Sequence, residues 1–182
     1  MEGKVFAVLL WFGWLSPAQA REDPPGLAWG LVSWGLVSEV PRPSMVDREA
    51  NVTALIYFHG SALAAGADTD RGILEVCKDE GLQQVISLSR SLSDAEPPGR
   101  YDTIEREGVR RHGRPRRDDV TGDALWPSAQ VFLTVRQAAP EERRLSMMSR
   151  GPRYASCSVA HEAATGYPAA DHGARLLGPG RP

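Results

Sequence analysis

The alternation of apolar and polar positions predicts folded structure in only one part of the chain. Residues 52–58 (VTALIYF) are β-branched and aromatic, which is typical of a buried strand. Residues 68–82 begin with Asp-Thr-Asp, which favours a helix N-terminus, and then place apolar side chains near helical spacing. Residues 84–88 (QVISL) predict a second strand. Segment 51–92 is therefore expected to form a βαβ-like unit, so the predicted fold class is small α/β.

The rest of the chain predicts little packing and is rich in Gly, Pro and Arg. Residues 21–50 form an apolar segment with several Trp and Pro residues, in which WGLVS occurs twice in succession. Residues 93–125 are polar and charged, and we expect a mobile linker because they cannot bury enough apolar surface to offset their ordering entropy. Residues 126–140 contain one further predicted strand. Residues 141–182 are expected to be a disordered tail.

The first twenty residues predict a secretory signal peptide. One lysine precedes an apolar run at residues 5–15, which at eleven residues is too short to span a bilayer. Ala18 and Ala20 then provide the small-x-small pattern that signal peptidase requires. We therefore expect a product that begins at Arg21, is secreted through the endoplasmic reticulum and has no transmembrane span.

Three residues have a predicted modification if the chain is exported. Asn51 begins an Asn-Val-Thr sequon and is the only asparagine in the chain, so it is the candidate glycosylation site. Cys77 and Cys157 are the only cysteines, and an oxidising compartment would allow them to form one disulfide. With two cysteines and no Cys-x-x-Cys pair, we expect neither a disulfide-dense scaffold nor a metal site.

The arginines of the predicted linker suggest proteolytic processing. Arg114, Arg116 and Arg117, within Arg-Pro-Arg-Arg, resemble the cleavage site of furin-type proprotein convertases. Acidic subsites in such proteases bind guanidinium groups at this spacing, and a mobile loop would present them. Cleavage after Arg117 would place the two cysteines on different pieces, which a disulfide would keep together.

Two other patterns bear on nucleic-acid and metal binding. Residues 110–117 resemble a degenerate AT-hook, but His112 replaces the first core arginine and the net charge of the chain is −2. No nucleic-acid partner is therefore expected. His161-Glu162 begins like the zinc motif HExxH, but Thr165 occupies the second histidine position. We expect His161 and the nearby His172 to be solvated.

Residues 52–60 (VTALIYFHG) resemble the third strand and the start of the oxyanion loop of α/β-hydrolases related to hormone-sensitive lipase. Gly66 stands where that family often has a further glycine, and residues 85–98 are similar to the strand and turn that follow. The resemblance implies backbone N–H groups for an oxyanion. The chain has no Gly-x-Ser-x-Gly nucleophile motif, so the resemblance implies a fragment or an inactive derivative.

The sequence thus predicts a small secreted protein that is not an enzyme and has no catalytic residue, cofactor or metal. We expect it to be a precursor processed after Arg117, with a proprotein convertase as the partner. Two alternatives stay open: a degenerate or truncated α/β-hydrolase-like protein without activity, and a weakly selected open reading frame with no settled function. The duplicated WGLVS and the scarcity of lysine and asparagine suit the last alternative.

Overall fold

The computed structural model describes residues 34–35, 37, 40–61, 63, 69–93, 95, 97–127 and 130–177. The predicted signal-peptide cleavage residues Ala18 and Ala20 lie outside the described residues, as does the first copy of WGLVS. Within the described ranges the chain forms nine strands and three helices. The predicted small α/β class is therefore wrong, and the protein is mainly an antiparallel sheet.

The strands pair in the order β1-β2-β3-β4-β9-β8-β7-β6, with β5 also paired to β9, and every pair is antiparallel. Their bounds are β1 Met45–Glu49, β2 Val52–Phe58, β3 Thr69–Cys77, β4 Gly81–Ser89, β5 Leu92–Ser93, β6 Arg116–Arg117, β7 Ala124–Trp126, β8 Val131–Ala139 and β9 Glu142–Arg150. The helices are α1 Pro97–His112, α2 Tyr154–Thr165 and α3 Ala169–Leu177. No helix in these ranges is long and apolar enough to cross a membrane.

The predicted βαβ unit is wrong because its middle segment is a strand. β3 pairs with β2 on one side and with β4 on the other, and both pairs are antiparallel. Ile73 and Leu74 point to opposite faces of β3, and both are buried because the sheet is covered on both faces. Gly81, which suits a helix C-terminus, instead begins β4 after a tight turn with φ of +72°.

The predicted charged linker at 93–125 contains α1 and the edge strand β6 rather than mobile chain. Tyr101 and Ile104 of α1 pack on the sheet beside Trp126, while most of the charged side chains of this helix are exposed. Few apolar residues are sufficient because the sheet supplies the surface on which they are buried.

The tail predicted to be disordered at 141–182 contains β9, α2 and α3. β9 lies in the middle of the sheet between β4 and β8, and the strand predicted within 126–140 corresponds to β8. Leu145 and Met147 of β9 lie two positions apart and contact the core under α1. The composition of this segment does not predict β9, α2 and α3, because the residues against which their apolar side chains pack are distant in sequence.

The two faces of the sheet are covered by different segments. On one face, α2 and α3 cover the first strands, with Leu176 packed near Ile56. On the other face, α1 covers β7 to β9, and Trp34 packs on the cluster around Tyr57. The site described next lies under α2 and α3.

Candidate functional site

Two buried histidines lie where α2 and α3 meet the edge of the sheet. His161 of α2 is fully buried, and His172 of α3 is 2% exposed. Their ring centroids are 5.9 Å apart. The expectation that both are solvated is wrong, because both helices dock on the sheet and turn the imidazoles inward.

Two carboxylates of the edge strand β1 approach these imidazoles. Asp47 and Glu49 are two positions apart and therefore lie on the same face of the strand. Oε2 of Glu49 is 3.9 Å from Nε2 of His161 and 4.0 Å from Nε2 of His172. Oδ2 of Asp47 is 3.5 Å from the same nitrogen of His172. One carboxylate oxygen thus faces the Nε2 atoms of both rings.

The Nδ1 atoms of the two rings face other oxygen acceptors. Nδ1 of His161 is 3.3 Å from Oδ1 of Asn51, in the turn after β1. Nδ1 of His172 is 3.6 Å from Oε1 of Glu75, a carboxylate of β3 that is only 1% exposed. The amide of Gln84 donates to the other oxygen of Glu75 at 2.6 Å. Each imidazole therefore has an oxygen acceptor near its Nδ1 atom, from Asn51 for His161 and from Glu75 for His172.

Glu49 is also bound from the solvent side. The hydroxyl of Tyr167 donates to Oε1 of Glu49, and the guanidinium of Arg175 donates to Oε2. The Tyr167 hydrogen bond first, and then the charges of Arg175 and the histidines, lower the pKa of Glu49, so this carboxylate is ionised at neutral pH. The Glu49 side chain is 31% exposed and that of Arg175 is 55% exposed, so this side of the cluster opens to solvent.

The two histidines differ in their affinity for a proton. Burial lowers the pKa of His161, and the neighbouring His172 acts in the same direction. The carboxylate of Glu75 raises the pKa of His172 against the effect of burial, and Asp47 and Glu49 add to the rise. His172 therefore binds a proton more readily than His161 does.

Several polar atoms of this cluster lack a hydrogen-bond partner among the residues that the structure describes. They are Oε1 of Glu75, Nε2 of His161 and both ring nitrogens of His172, all of them buried. Buried polar atoms are almost always hydrogen-bonded in native proteins, and an exception calls for a bound ion, a water or a functional role. The arrangement of two imidazoles and several carboxylates is chemically able to bind a cation or to exchange a proton.

The two cysteines lie beside this cluster and form a disulfide between β3 and α2. The Cα atoms of Cys77 and Cys157 are 6.0 Å apart, and both residues are buried. Asn51 is half-buried, and its side-chain amide donates to the backbone carbonyl of Cys157 at 3.1 Å. Its glycosylation stays a prediction, and the folded chain directs the acceptor nitrogen toward α2 rather than into solvent.

The predicted convertase site lies on the exposed edge of the sheet. Arg114, Arg116 and Arg117 are exposed, and the last two form β6. The guanidinium of Arg117 donates to both carboxylate oxygens of Glu105 at 2.8 and 2.6 Å and lies 5.7 Å from the ring centroid of Tyr101. Cleavage at this site stays a prediction, and a protease would have to draw Arg117 away from α1.

The residues of the hydrolase-like and AT-hook-like segments lie in different parts of the structure. Residues 59–61 (HGS) follow β2 at the start of its connection to β3, and Gly66 lies outside the described residues. Arg110 and Arg111 of the AT-hook-like segment belong to α1 and form ion pairs with Glu107. The hydrolase resemblance and the expected absence of a nucleic-acid partner stay predictions.

No family model matches this chain, and comparisons with curated proteins and with solved structures also find no match. Of the clustered residues, sequence reasoning had considered the two histidines and Asn51, but it had not connected them. It missed Asp47, Glu49 and Glu75. One local signal was available, since Glu75 is an isolated charge within the apolar run ILEVC. A charge in such a strand is buried with a partner when both faces are covered.

Proposed function

We propose that this chain is an exported protein that acts by binding rather than by catalysis and is processed into two chains that stay joined. The observation that carries the proposal is the buried disulfide between Cys77 and Cys157. Structural disulfides persist in the secretory pathway and outside the cell, whereas the cytosol keeps thiols reduced. The signal-peptide pattern at residues 1–20 supports the same route.

The position of the disulfide explains how the processed form would hold together. Cleavage after Arg117 would leave β1 to β4 on the first chain and β7 to β9 on the second. β4 and β9 are paired over five positions, from Gln84–Arg150 to Leu88–Ser146. The disulfide joins the same two chains covalently. Processing would therefore create a new chain end at β6, and the two pieces would stay joined rather than separate.

The absence of a nucleophile motif supports action without turnover. The sequence contains no Gly-x-Ser-x-Gly, which places the serine of α/β-hydrolases at a strained turn. The two cysteines are bonded to each other and cannot act as thiolates. Binding through surface or buried polar groups is the function that these residues favour.

The test is secretion of the full chain from cells that contain proprotein convertases. Intact mass and N-terminal sequencing of the medium and the lysate should show a secreted start at Arg21 and a second start at Asp118. The cut form should run as one species without reductant and as two with it. Arg114→Ala is the matched control, because it disrupts the convertase pattern and leaves the Arg117–Glu105 pair in place.

Three results would each overturn a part of this proposal. Intracellular material that retains the first residues and free thiols would reject export. A secreted but uncut chain would reject processing while leaving export intact. Turnover of short acyl esters by the purified wild-type protein would reject action without catalysis.

A further inference from the structure

The sequence WGLVS occurs twice in succession, and the second copy packs on the sheet. We propose that the surface beneath Trp34 is a binding site for this sequence that accepts either copy, so that residues 29–33 can replace residues 34–38 with a shift of five positions. The alternative occupant lies immediately before the docked copy in the chain. Both copies follow the predicted cut after Ala20, so the inference does not depend on export.

The first argument is the apolar contact that the docked copy makes. Trp34 and Val37 are half-buried, and both pack on the core cluster that contains Tyr57. The indole also lies close to Gly151, because a Cβ atom there would be 2.9 Å from Cε3 of Trp34. The first copy has tryptophan and valine at the same spacing, so it offers the same two side chains to this surface.

The second argument is the glycine that follows the tryptophan. Gly35 has a φ of +80°, in the left-handed region that favours glycine. Its N–H donates to the carbonyl of Leu82 at 3.1 Å, and its own carbonyl lies so close to Gly81 that a Cβ atom there would be 2.2 Å from the oxygen. The site therefore favours a segment with glycine directly after tryptophan. The dipeptide Trp-Gly occurs in the sequence only at positions 29–30 and 34–35.

The third argument is that the shift disturbs the following chain only slightly. Val40 packs on the same cluster, and the carbonyl of Pro41 accepts a hydrogen bond from the hydroxyl of Tyr57 at 2.8 Å, so the chain is held again at this point. The shift lengthens the connection from residues 37–40 to residues 32–40, which disfavours its closure by about fourfold. It also removes the hydrogen bond from the N–H of Val40 to the carbonyl of Val37, which is 3.5 Å long.

The wild-type chain should therefore populate both registers, with the second copy docked about fourfold more often than the first. Damage to the second copy should be compensated by the first. The reason is that loss of a packed indole lowers the ratio of folded to unfolded chains by at least about tenfold, which is more than the shift does.

The experiment compares the same substitution in the full chain and in a chain with one copy. Deletion of residues 29–33 leaves a single WGLVS and gives the same sequence as deletion of residues 34–38. In the single-copy chain, replacement of the tryptophan of WGLVS by alanine should cause the full fall in the urea midpoint. In the full chain, Trp34→Ala should cause less than half of that fall, and Trp29→Ala should leave the midpoint unchanged. The double variant Trp29→Ala/Trp34→Ala should show the full fall again.

Fluorine NMR of the full chain labelled with fluorotryptophan observes the exchange directly. Substitution of each tryptophan in turn assigns the resonances. In the Trp34→Ala protein, the resonance of Trp29 should move toward the chemical shift that Trp34 has in the wild type. Gly30→Ala in the same protein is the matched control, because it keeps Trp29 and removes the glycine that the site favours, so it should prevent the move.

The proposal is overturned if Trp34→Ala lowers the urea midpoint of the full chain as much as the corresponding substitution lowers that of the single-copy chain. It is also overturned if the Trp29 resonance keeps its position in the Trp34→Ala protein. A rescue that depends on protein concentration would overturn it too, because the first copy would then dock on a neighbouring molecule. If the single-copy chain fails to fold, the fluorine comparison in the full chain still decides the question. None of these results depends on secretion or cleavage, so failure here is distinguishable from failure of the export proposal.

Discussion

Gly108 of α1 lies directly against the indole ring of Trp126. A Cβ atom at position 108 would be 2.4 Å from Cζ2 of that ring. The indole N–H of Trp126 donates to the backbone carbonyl of Gly113 at 2.8 Å, so the ring is fastened at the end of the same helix. The absence of a side chain at position 108 therefore determines how closely α1 approaches the sheet.

Gly108→Ala should destabilise the protein by about 1–3 kcal/mol, because the fully buried indole cannot move away from the added methyl group. Gly99→Ala in the same helix is the control, since nothing lies within 4 Å of a Cβ there. That control should gain up to about 1 kcal/mol from helix propensity. Urea unfolding measures both, and equal effects of the two substitutions would contradict the close contact.

Removal of the disulfide should lower the free energy of unfolding by about 4 kcal/mol. Cys77 and Cys157 are 80 residues apart, and a cross-link over such a loop restricts the unfolded chain strongly. The double variant Cys77→Ala/Cys157→Ala should match the wild type measured in reductant, and both should fall below the oxidised wild type. Equal urea midpoints for all three would show that the bond contributes nothing to stability.

Tyr154 should make the protein sensitive to alkaline pH. Burial raises the pKa of this phenol from 10.0 to about 12 in the folded state, although Arg150 opposes the rise. The resulting stabilisation, about 2–3 kcal/mol, is present below the unfolded pKa and is lost as pH rises from 10 to 12. Urea unfolding across this range should show the fall.

Tyr154→Phe should remove the largest part of this pH dependence. A smaller part should remain, because burial also raises the pKa of Tyr57 and of Tyr101. An unchanged slope of stability against pH in the Tyr154→Phe protein would assign the effect to other groups.

Glycosylation of Asn51 and docking of α2 should compete. The amide nitrogen that would carry the glycan donates to the carbonyl of Cys157, one of the disulfide residues. We expect the glycosylated fraction of the secreted chain to contain more free thiol than the unmodified fraction, measured by thiol labelling before and after glycan removal. Thr53→Val destroys the sequon without changing Asn51 and should yield fully disulfide-bonded protein. A glycan on fully oxidised chains would refute the competition.

Short-range patterns in the sequence predicted several strands whose apolar residues follow one another directly along the chain. The strand predicted at 52–58 is β2, and the one predicted at 84–88 lies within β4. The N-cap pattern and the spacing of apolar residues misassigned β3, because consecutive apolar residues fit both a helix and a strand that is buried on both faces. Composition misassigned β9 and the three helices, whose few apolar side chains are buried only by residues far away in the chain.

The sequence by itself determined the alternation that makes strands and the existence of a single cysteine pair. Only the tertiary structure decided that the chain folds as an antiparallel sheet and that His161 and His172 meet Glu49 beneath two helices. The reason is that residues on one strand share a face by local geometry, whereas the contact between positions 49 and 161 exists only after α2 docks. A buried polar cluster is therefore a property of packing, and local sequence patterns cannot reveal it.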